Sequence, residues 1–108
     1  MKRGDFVTIA LQGDYGKPRP ALVVQSDYFA EHPSIVLLLV TTELREMPLY
    51  RITVEPSGEN GLTKRSQIMV DKIQAVRREK VGEPFGRIAA DTMLEVNRAM
   101  AVFYGIAS

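Results

Sequence analysis

An arginine placed between two prolines is the residue of this chain best suited to chemistry. Arg19 stands in "KPRPALVV", where a polar, glycine-containing stretch changes into an apolar run. A guanidinium donates two parallel hydrogen bonds to phosphate oxygens, but its high pKa leaves almost no neutral form to act as a base. The residue type therefore predicts charge stabilisation or anion binding. The alternative is an exposed arginine that only supports the fold or a partner contact.

Cysteine and histidine usage excludes several kinds of site. The chain has no cysteine, which excludes a disulfide, a thiolate nucleophile and zinc-finger cysteine ligands. The single histidine, His32, is the only imidazole that a Ser-His-Asp triad would have. The formal net charge is +1, so a site for an anion must come from local clustering of basic residues.

Apolar runs in the chain are too short for a bilayer. The longest, "IVLLLV" at residues 35–40, has the length of a buried strand and not the roughly 18 residues of a membrane helix. The N-terminal "MKRGDF" lacks the apolar segment of a signal peptide. We therefore expect a cytoplasmic protein without membrane association.

The elements that must position Arg19 are mostly short strands. Residues 35–41 are apolar on both faces, which indicates a central strand, and residues 49–55 alternate as in a half-buried antiparallel strand. Further strands are predicted at residues 6–11 and 21–25, and at residues 66–70 and 73–77 as two short strands or one bent strand.

A C-terminal helix completes the predicted fold. An apolar stripe at three- and four-residue spacing predicts this helix over residues 90–104, with Gly105 at the C′ position. The stripe consists of Met93, Val96, Met100 and Phe103. Close-spaced strands followed by one helix predict a mainly β fold, a small curled antiparallel β-barrel capped by the helix, in a single domain over residues 1–108.

Several segments, read in order, resemble the MazF/PemK family of toxins. They are "RGDFVTIAL", "KPRPALVVQSD", "IVLLLVTTEL" and "SQIMVDKIQAV". The resemblance covers nearly the whole chain. It implies an SH3-like barrel, the toxin of a type II toxin–antitoxin system, and a metal-independent endoribonuclease without a cofactor that cuts single-stranded RNA at short sequences.

The resemblance also implies which residues are catalytic. The family's cleavage residues correspond to Arg19, to Thr41 or its neighbour Thr42, and to Asp71 as an acid–base group. In such a reaction the substrate 2′-OH attacks the adjacent phosphorus and leaves a 2′,3′-cyclic phosphate. Arg19 would stabilise the developing charge, a threonine would add one hydrogen bond, and Asp71 would be the candidate base.

RNA and protein partners follow from the same resemblance. Single-stranded RNA is held by stacking bases over a basic track, and the candidate residues are Tyr15, Lys17, Arg45, Arg51, Lys64 and Arg65. We expect a homodimer and a cognate antitoxin whose disordered acidic segment fills the RNA groove. DNA would be bound only indirectly, through the antitoxin complex.

Two other functions remain open from the sequence. The ending Tyr104-Gly105-Ile106 resembles the C-terminal helix end of the gyrase poison CcdB, which shares the fold and lacks nuclease activity, although a glycine after a helix is also ordinary capping. The other is an inert barrel that only binds its antitoxin. Some family members have a basic residue where this chain has Met69, and that departure keeps the inert barrel open.

Overall fold

The computed structural model describes residues 1–10 and 17–107, and most of them form one curled antiparallel sheet. The elements in chain order are β1 (Asp5–Ala10), β2 (Pro18–Val23), β3 (Ser34–Thr41), β4 (Arg51–Val54), β5 (Ser66–Arg77), β6 (Gly86–Arg87) and α1 (Ala90–Phe103), with 3-10 turns at Asp27–Phe29 and Arg78–Lys80. The strand order is β4-β5-β3-β2-β1-β6. This half-barrel with one C-terminal helix confirms the predicted fold class.

Apolar side chains are buried on both faces of the sheet. In β3, Leu38 and Val40 belong to a cluster that also contains residues of α1, whereas Ile35 and Leu37 belong to a second cluster with side chains of β1 and β2. Because alternate residues of a strand point to opposite faces, a strand covered twice must be apolar throughout. The run "IVLLLV" therefore reflects a central strand, as predicted.

Helix α1 covers one face and ends in a glycine cap. Val96 is fully buried, while the predicted stripe member Phe103 is 49% exposed. Gly105 has φ +79°, and the N–H groups of Gly105 and Ile106 donate to Val102 O and Ala101 O at 3.1 and 2.8 Å. These two bonds form a Schellman motif, which confirms the prediction for Gly105. No helix in the described ranges is long and apolar enough to cross a membrane.

Strand boundaries differ from the sequence prediction mainly around the prolines. β2 begins at Pro18, three residues before the predicted start, because its pairing with β1 continues to the Ala10–Pro18 pair. Pairing of β2 with β3 extends only to Ala21, directly after Pro20. Proline has no N–H to donate to a ladder. At this end of β2 the prolines therefore allow pairing with β1 and leave the side toward β3 unpaired.

The bounds of the other strands lie closer to the sequence prediction. β4 is shorter than the predicted residues 49–55, and β5 is one strand of 12 residues with a register shift against β3 between Leu38 and Val40, which is the bent alternative. Strand β6 was not predicted, because two residues are too few to show a period. The end of the predicted strand at Leu11 lies outside the described residues.

The "RGD" segment at residues 3–5 ties distant elements together. Arg3 Nε donates to Val24 O at 2.8 Å, and its NH2 donates to Asn97 Oδ1 on α1 at 2.8 Å. The buried Asp5 carboxylate accepts from Arg87 NH1 of β6 at 2.5 Å. A buried carboxylate needs such partners. The segment that carried much of the family resemblance is therefore structural in this chain.

Tyr104→Phe is expected to change the pH dependence of stability. Burial, and then the negative charge of Asp71, raise the pKa of Tyr104, whose hydroxyl donates to Val70 O at 2.7 Å. A raised folded-state pKa contributes stability that is complete below the unfolded pKa of about 10 and is lost as pH rises through the folded value. The variant should lose about 1 kcal/mol of unfolding free energy at neutral pH.

Urea denaturation of both proteins at neutral pH and above about pH 10 measures this difference. The gap between wild type and Tyr104→Phe should narrow as the pH rises. Tyr28→Phe, at a side chain that is 87% exposed, is the matched control and should show no such gap. A gap that stays constant with pH would contradict the assignment to Tyr104.

Candidate active site

A row of polar side chains crosses the sheet on the face opposite α1. Strand pairing places Gln67 of β5 between Thr53 of β4 and Thr41 of β3. Directly opposed side chains have Cβ atoms about 4.5–5.5 Å apart. The fold thus assembles the polar row Thr53, Gln67 and Thr41 from three strands. Pairing of β2 with β3 ends at Ala21–Leu39, and Arg19 lies two residues beyond that pair, toward the Thr41 end of β3.

Arg19 lies in a strand and is exposed. It pairs with Ile9 of β1 and shares the face of Ala21 and Val23, two residues of the second apolar cluster. The paired backbone fixes the direction in which the side chain leaves the sheet. The Arg19 side chain therefore leaves the sheet beside the second apolar cluster, on the face that also carries Thr41.

The two candidate threonines point to opposite sides of the sheet. Thr41 Oγ1 accepts a hydrogen bond from the Glu43 N–H at 3.0 Å, so its own proton is available to another acceptor. Thr42 lines a smaller pocket of about 210 Å³ together with Pro18, Pro20 and Lys64. Only Thr41 belongs to the polar row.

A larger pocket of about 500 Å³ begins one strand away from Thr41. Its wall is the segment after β3, and its other lining side chains come from β4, β5 and the turn before β5; these are Leu44, Arg45, Glu46, Met47, Pro48, Arg51, Thr53, Arg65 and Gln67. We call it the main pocket. Three predicted RNA-binding arginines line it, namely Arg45, Arg51 and Arg65.

These arginines are not equivalent. Arg45 pairs with Glu43 at 2.9 Å and Arg65 pairs with Glu55 at 2.8 Å, with all four side chains exposed. The half-buried Arg51 donates to Glu43 O at 2.8 Å and to Gln67 Oε1 at 3.0 Å. Exposed ion pairs are weak and exchange readily, whereas Arg51 holds the pocket wall.

The other predicted RNA-binding residues lie apart from the main pocket. Lys64 lines the smaller pocket and Lys17 is exposed just before β2. Tyr15 falls outside the described residues. The described cations thus flank the polar row on both sides, with arginines at the main pocket and lysines beside the prolines.

Glu43 is the carboxylate nearest along the chain to Thr41. The hydrogen bond from Arg45, followed by the charge of Arg45, lowers the pKa of Glu43, and the same carboxylate raises the pKa of Arg45. Glu43 is therefore deprotonated at neutral pH. A carboxylate of lowered pKa is a weak general base.

Asp71 lies away from the polar row. It is four residues beyond Gln67 on β5, in the stretch where the pairing with β3 shifts register, and its charge acts on Tyr104 at the end of α1. Within the described residues, Asp71 Oδ1 is buried without a hydrogen-bond partner, and Lys72 Nζ is 3.9 Å from Oδ2. The described ranges contain no group of three His, Cys, Asp or Glu side chains arranged to hold a metal ion.

Sequence reasoning missed Gln67, the central residue of the polar row. It stands between Ser66 and Ile68 in a strand, and nothing in its type or neighbours distinguishes it from an ordinary outward-facing strand residue. It is nevertheless only 6% exposed. That burial appears only in the folded chain, so the sequence offered no signal for Gln67.

Comparisons with known proteins agree with this geometry. The family model described as PemK-like, MazF-like toxin of type II toxin–antitoxin system matches residues 2–104. A protein of Mycolicibacterium smegmatis named "Probable endoribonuclease MazF" is 42% identical, with 99% of each chain covered.

Similar solved structures show the same fold. One is an endoribonuclease in complex with its cognate antitoxin from a mycobacterial species, with a TM-score of 0.84 at 24% identity, covering 100% of this chain and 98% of the other. Another is the Mycobacterium tuberculosis toxin MazF-mt6, with a TM-score of 0.82 at 19% identity, covering 96% and 99%. The comparisons support the nuclease hypothesis and not the gyrase-poison alternative. The chain belongs to the PemK/MazF family of endoribonuclease toxins of type II toxin–antitoxin systems.

Proposed function

We propose that this chain cleaves single-stranded RNA without a metal ion, by attack of the substrate 2′-OH on the adjacent phosphorus. The P–O2′ bond forms, the P–O5′ bond breaks, and the products carry a 2′,3′-cyclic phosphate and a free 5′-hydroxyl. One observation carries the proposal. Arg19 leaves β2 on the sheet face that carries Thr41, near one end of a polar row that leads into a pocket lined by arginines.

Arg19 stabilises the charge that develops on the non-bridging oxygens. Two parallel N–H donors fit two phosphate oxygens, and a donor fixed before the reaction contributes most in the transition state. The pairing of Arg19 with Ile9 supports this role, because a backbone held in a ladder limits the positions that the guanidinium can take.

Thr41 adds a hydrogen bond to the same phosphate. Its oxygen already accepts from the Glu43 N–H, so the hydroxyl proton is directed toward a second acceptor. Thr42 lines the smaller pocket on the other side of the strand. We therefore assign the phosphate contact to Thr41, and the smaller pocket to the path of the RNA backbone.

The main pocket receives a nucleobase beside the scissile phosphate. Guanidinium planes can stack on bases and bind phosphates, and Arg45 and Arg65 line the pocket in exposed ion pairs that RNA would replace. Lys17 and Lys64 extend the same track beyond Arg19, and Tyr15, outside the described residues, stays a predicted RNA contact. Arg51 contributes by holding the pocket wall.

The reaction takes one proton from the 2′-OH and gives one to the 5′-oxygen. Water is a weaker base than any carboxylate, including Glu43, whose pKa is lowered by Arg45. The acid–base role that the family resemblance implies for Asp71 stays a prediction.

The proposal includes the biological setting. We treat residues 1–108 as one toxin domain that acts in the cytoplasm as a homodimer. The family assignment and the related structures solved with antitoxins support an antitoxin whose disordered acidic segment occupies the arginine-lined pocket. Such a segment would match the pocket by charge. DNA is reached only through the antitoxin complex.

A cleavage assay tests the proposed reaction. Purified protein is expected to cut single-stranded RNA in the presence of EDTA, and mass spectrometry should find 2′,3′-cyclic phosphate ends. Intact RNA together with gyrase-dependent DNA breaks would instead establish a gyrase poison. Intact RNA with tight antitoxin binding would establish an inert interaction barrel.

A further inference from the structure

The side-chain amide of Gln67 is fully used in hydrogen bonds. Its Nε2 donates to Arg45 O at 2.9 Å and to Thr53 Oγ1 at 3.2 Å. Its Oε1 accepts from the Arg45 N–H and from Arg51 NH1, both at 3.0 Å. Two donors and two acceptor sites are all that a carboxamide has. The four bonds also fix which end of the amide is oxygen.

The Gln67 side chain takes the place of a neighbouring strand for the backbone of Arg45. The carboxamide bonds both the N–H and the C=O of one residue, as a paired residue does in a ladder. Strand β3 ends at Thr41 and β4 begins at Arg51, so the segment between them lies outside the strands. A buried side chain therefore replaces the missing backbone partner.

Side chains from three strands hold the pocket wall in place. The Glu43 N–H donates to Thr41, the Glu43 carbonyl accepts from Arg51, and both backbone groups of Arg45 bond to Gln67. The held residues 43–45 begin at the site of the Thr41 hydroxyl and continue into the main pocket. The position of this wall is thus set by side-chain contacts, of which Gln67 makes the largest number.

We propose that Gln67 is a positioning residue that determines which RNA sequences are cut, by fixing residues 43–45 as one wall of the main pocket. The inference rests on the proposed function. Gln67 is only 6% exposed and its amide is saturated, so it acts through Arg45 and not on the RNA directly. A wall fixed before binding favours bases that fit it and lowers KM, because no ordering cost is paid on binding.

The chemistry of the site requires an amide. Glutamate has the same shape, but an acceptor oxygen would then face Arg45 O in place of the donor, so one bond is lost and two acceptors repel. Leucine removes all four bonds and leaves the backbone groups of Arg45 without their partner. An unsatisfied buried group is more damaging than a missing bond. Gln67→Glu should therefore be the milder variant.

The experiment compares Gln67→Leu, Gln67→Glu and wild type on a randomised single-stranded RNA pool, and then on one cleaved oligonucleotide. We expect Gln67→Leu to raise KM about tenfold, which corresponds to about 1.4 kcal/mol of wall-ordering cost now met on RNA binding, with a smaller change in kcat. The set of cleaved sequences should widen. Gln74→Leu is the matched control, on the same strand, paired with Leu37 and outside the main pocket.

Amide hydrogen exchange measured by NMR shows whether residues 43–45 are held in place, independently of RNA cleavage. The Arg45 N–H should exchange faster in Gln67→Leu than in wild type, while the paired amides of β5 stay protected and show that the variant is folded. An unchanged KM and an unchanged set of cleaved sequences, with the Arg45 amide released, would overturn the positioning role. Inactive wild-type protein would instead overturn the proposed function. An unchanged exchange rate of the Arg45 N–H in Gln67→Leu would show that Gln67 does not fix residues 43–45.

Discussion

Arg19→Ala is expected to lower kcat for RNA cleavage by about 10²–10³-fold, the usual loss when one preorganised donor to a developing negative charge is removed. The side chain is exposed on a paired strand, so its truncation leaves no cavity. The loss should therefore appear in kcat with little change in the unfolding temperature. Single-turnover cleavage of one RNA oligonucleotide at saturating protein measures the chemical step.

Two further variants separate the loss of the paired donors from the loss of charge. Arg19→Lys keeps the charge but not the two parallel donors, so its activity should lie between wild type and alanine. Arg98→Ala removes an exposed arginine of α1 on the other side of the molecule and controls for net charge. Cleavage by Arg19→Ala within a few-fold of wild type would contradict the assignment of charge stabilisation to Arg19.

Phe6→Ala is expected to have the largest effect on stability, a loss of about 3–5 kcal/mol of unfolding free energy. Phe6 is fully buried in β1 and belongs to the cluster beneath α1, with its ring stacked 6.1 Å from that of Phe85. Alanine would leave a cavity between sheet and helix that the packed surroundings cannot collapse to fill. Urea denaturation at a fixed protein concentration measures the loss.

Phe29→Ala is the matched control for Phe6. It makes the same substitution in the 3-10 turn at Asp27–Phe29, where the side chain is 53% exposed, and should cost far less. If the two variants were equally stable, or Phe6→Ala lost under about 1 kcal/mol, Phe6 would not be part of the core as described.

The sequence by itself determined the family and most of the elements. Periods of two and of 3.6 residues are local signals, so the doubly apolar β3, the helix α1 and its Gly105 cap could be read directly. The order of the family segments identified the kind of toxin. The strand after Arg19 was predicted to begin only at residue 21, because the missing N–H of a proline is a local signal that does not reveal continued pairing with β1.

Only the tertiary structure decided which residues meet. Thr41, Gln67 and Thr53 are far apart in sequence and become neighbours through strand register, which depends on pairing across the whole sheet. Alternation along the chain separates Thr41 from Thr42, and the register shift in β5 accompanies the approach of Asp71 to Tyr104 at the end of α1. Residue type alone indicated Arg19 as a candidate site residue, because a guanidinium between two prolines stands out in the sequence. Residue type could not indicate Gln67, because this glutamine acquires its role only from the backbone groups that the folded chain brings to it.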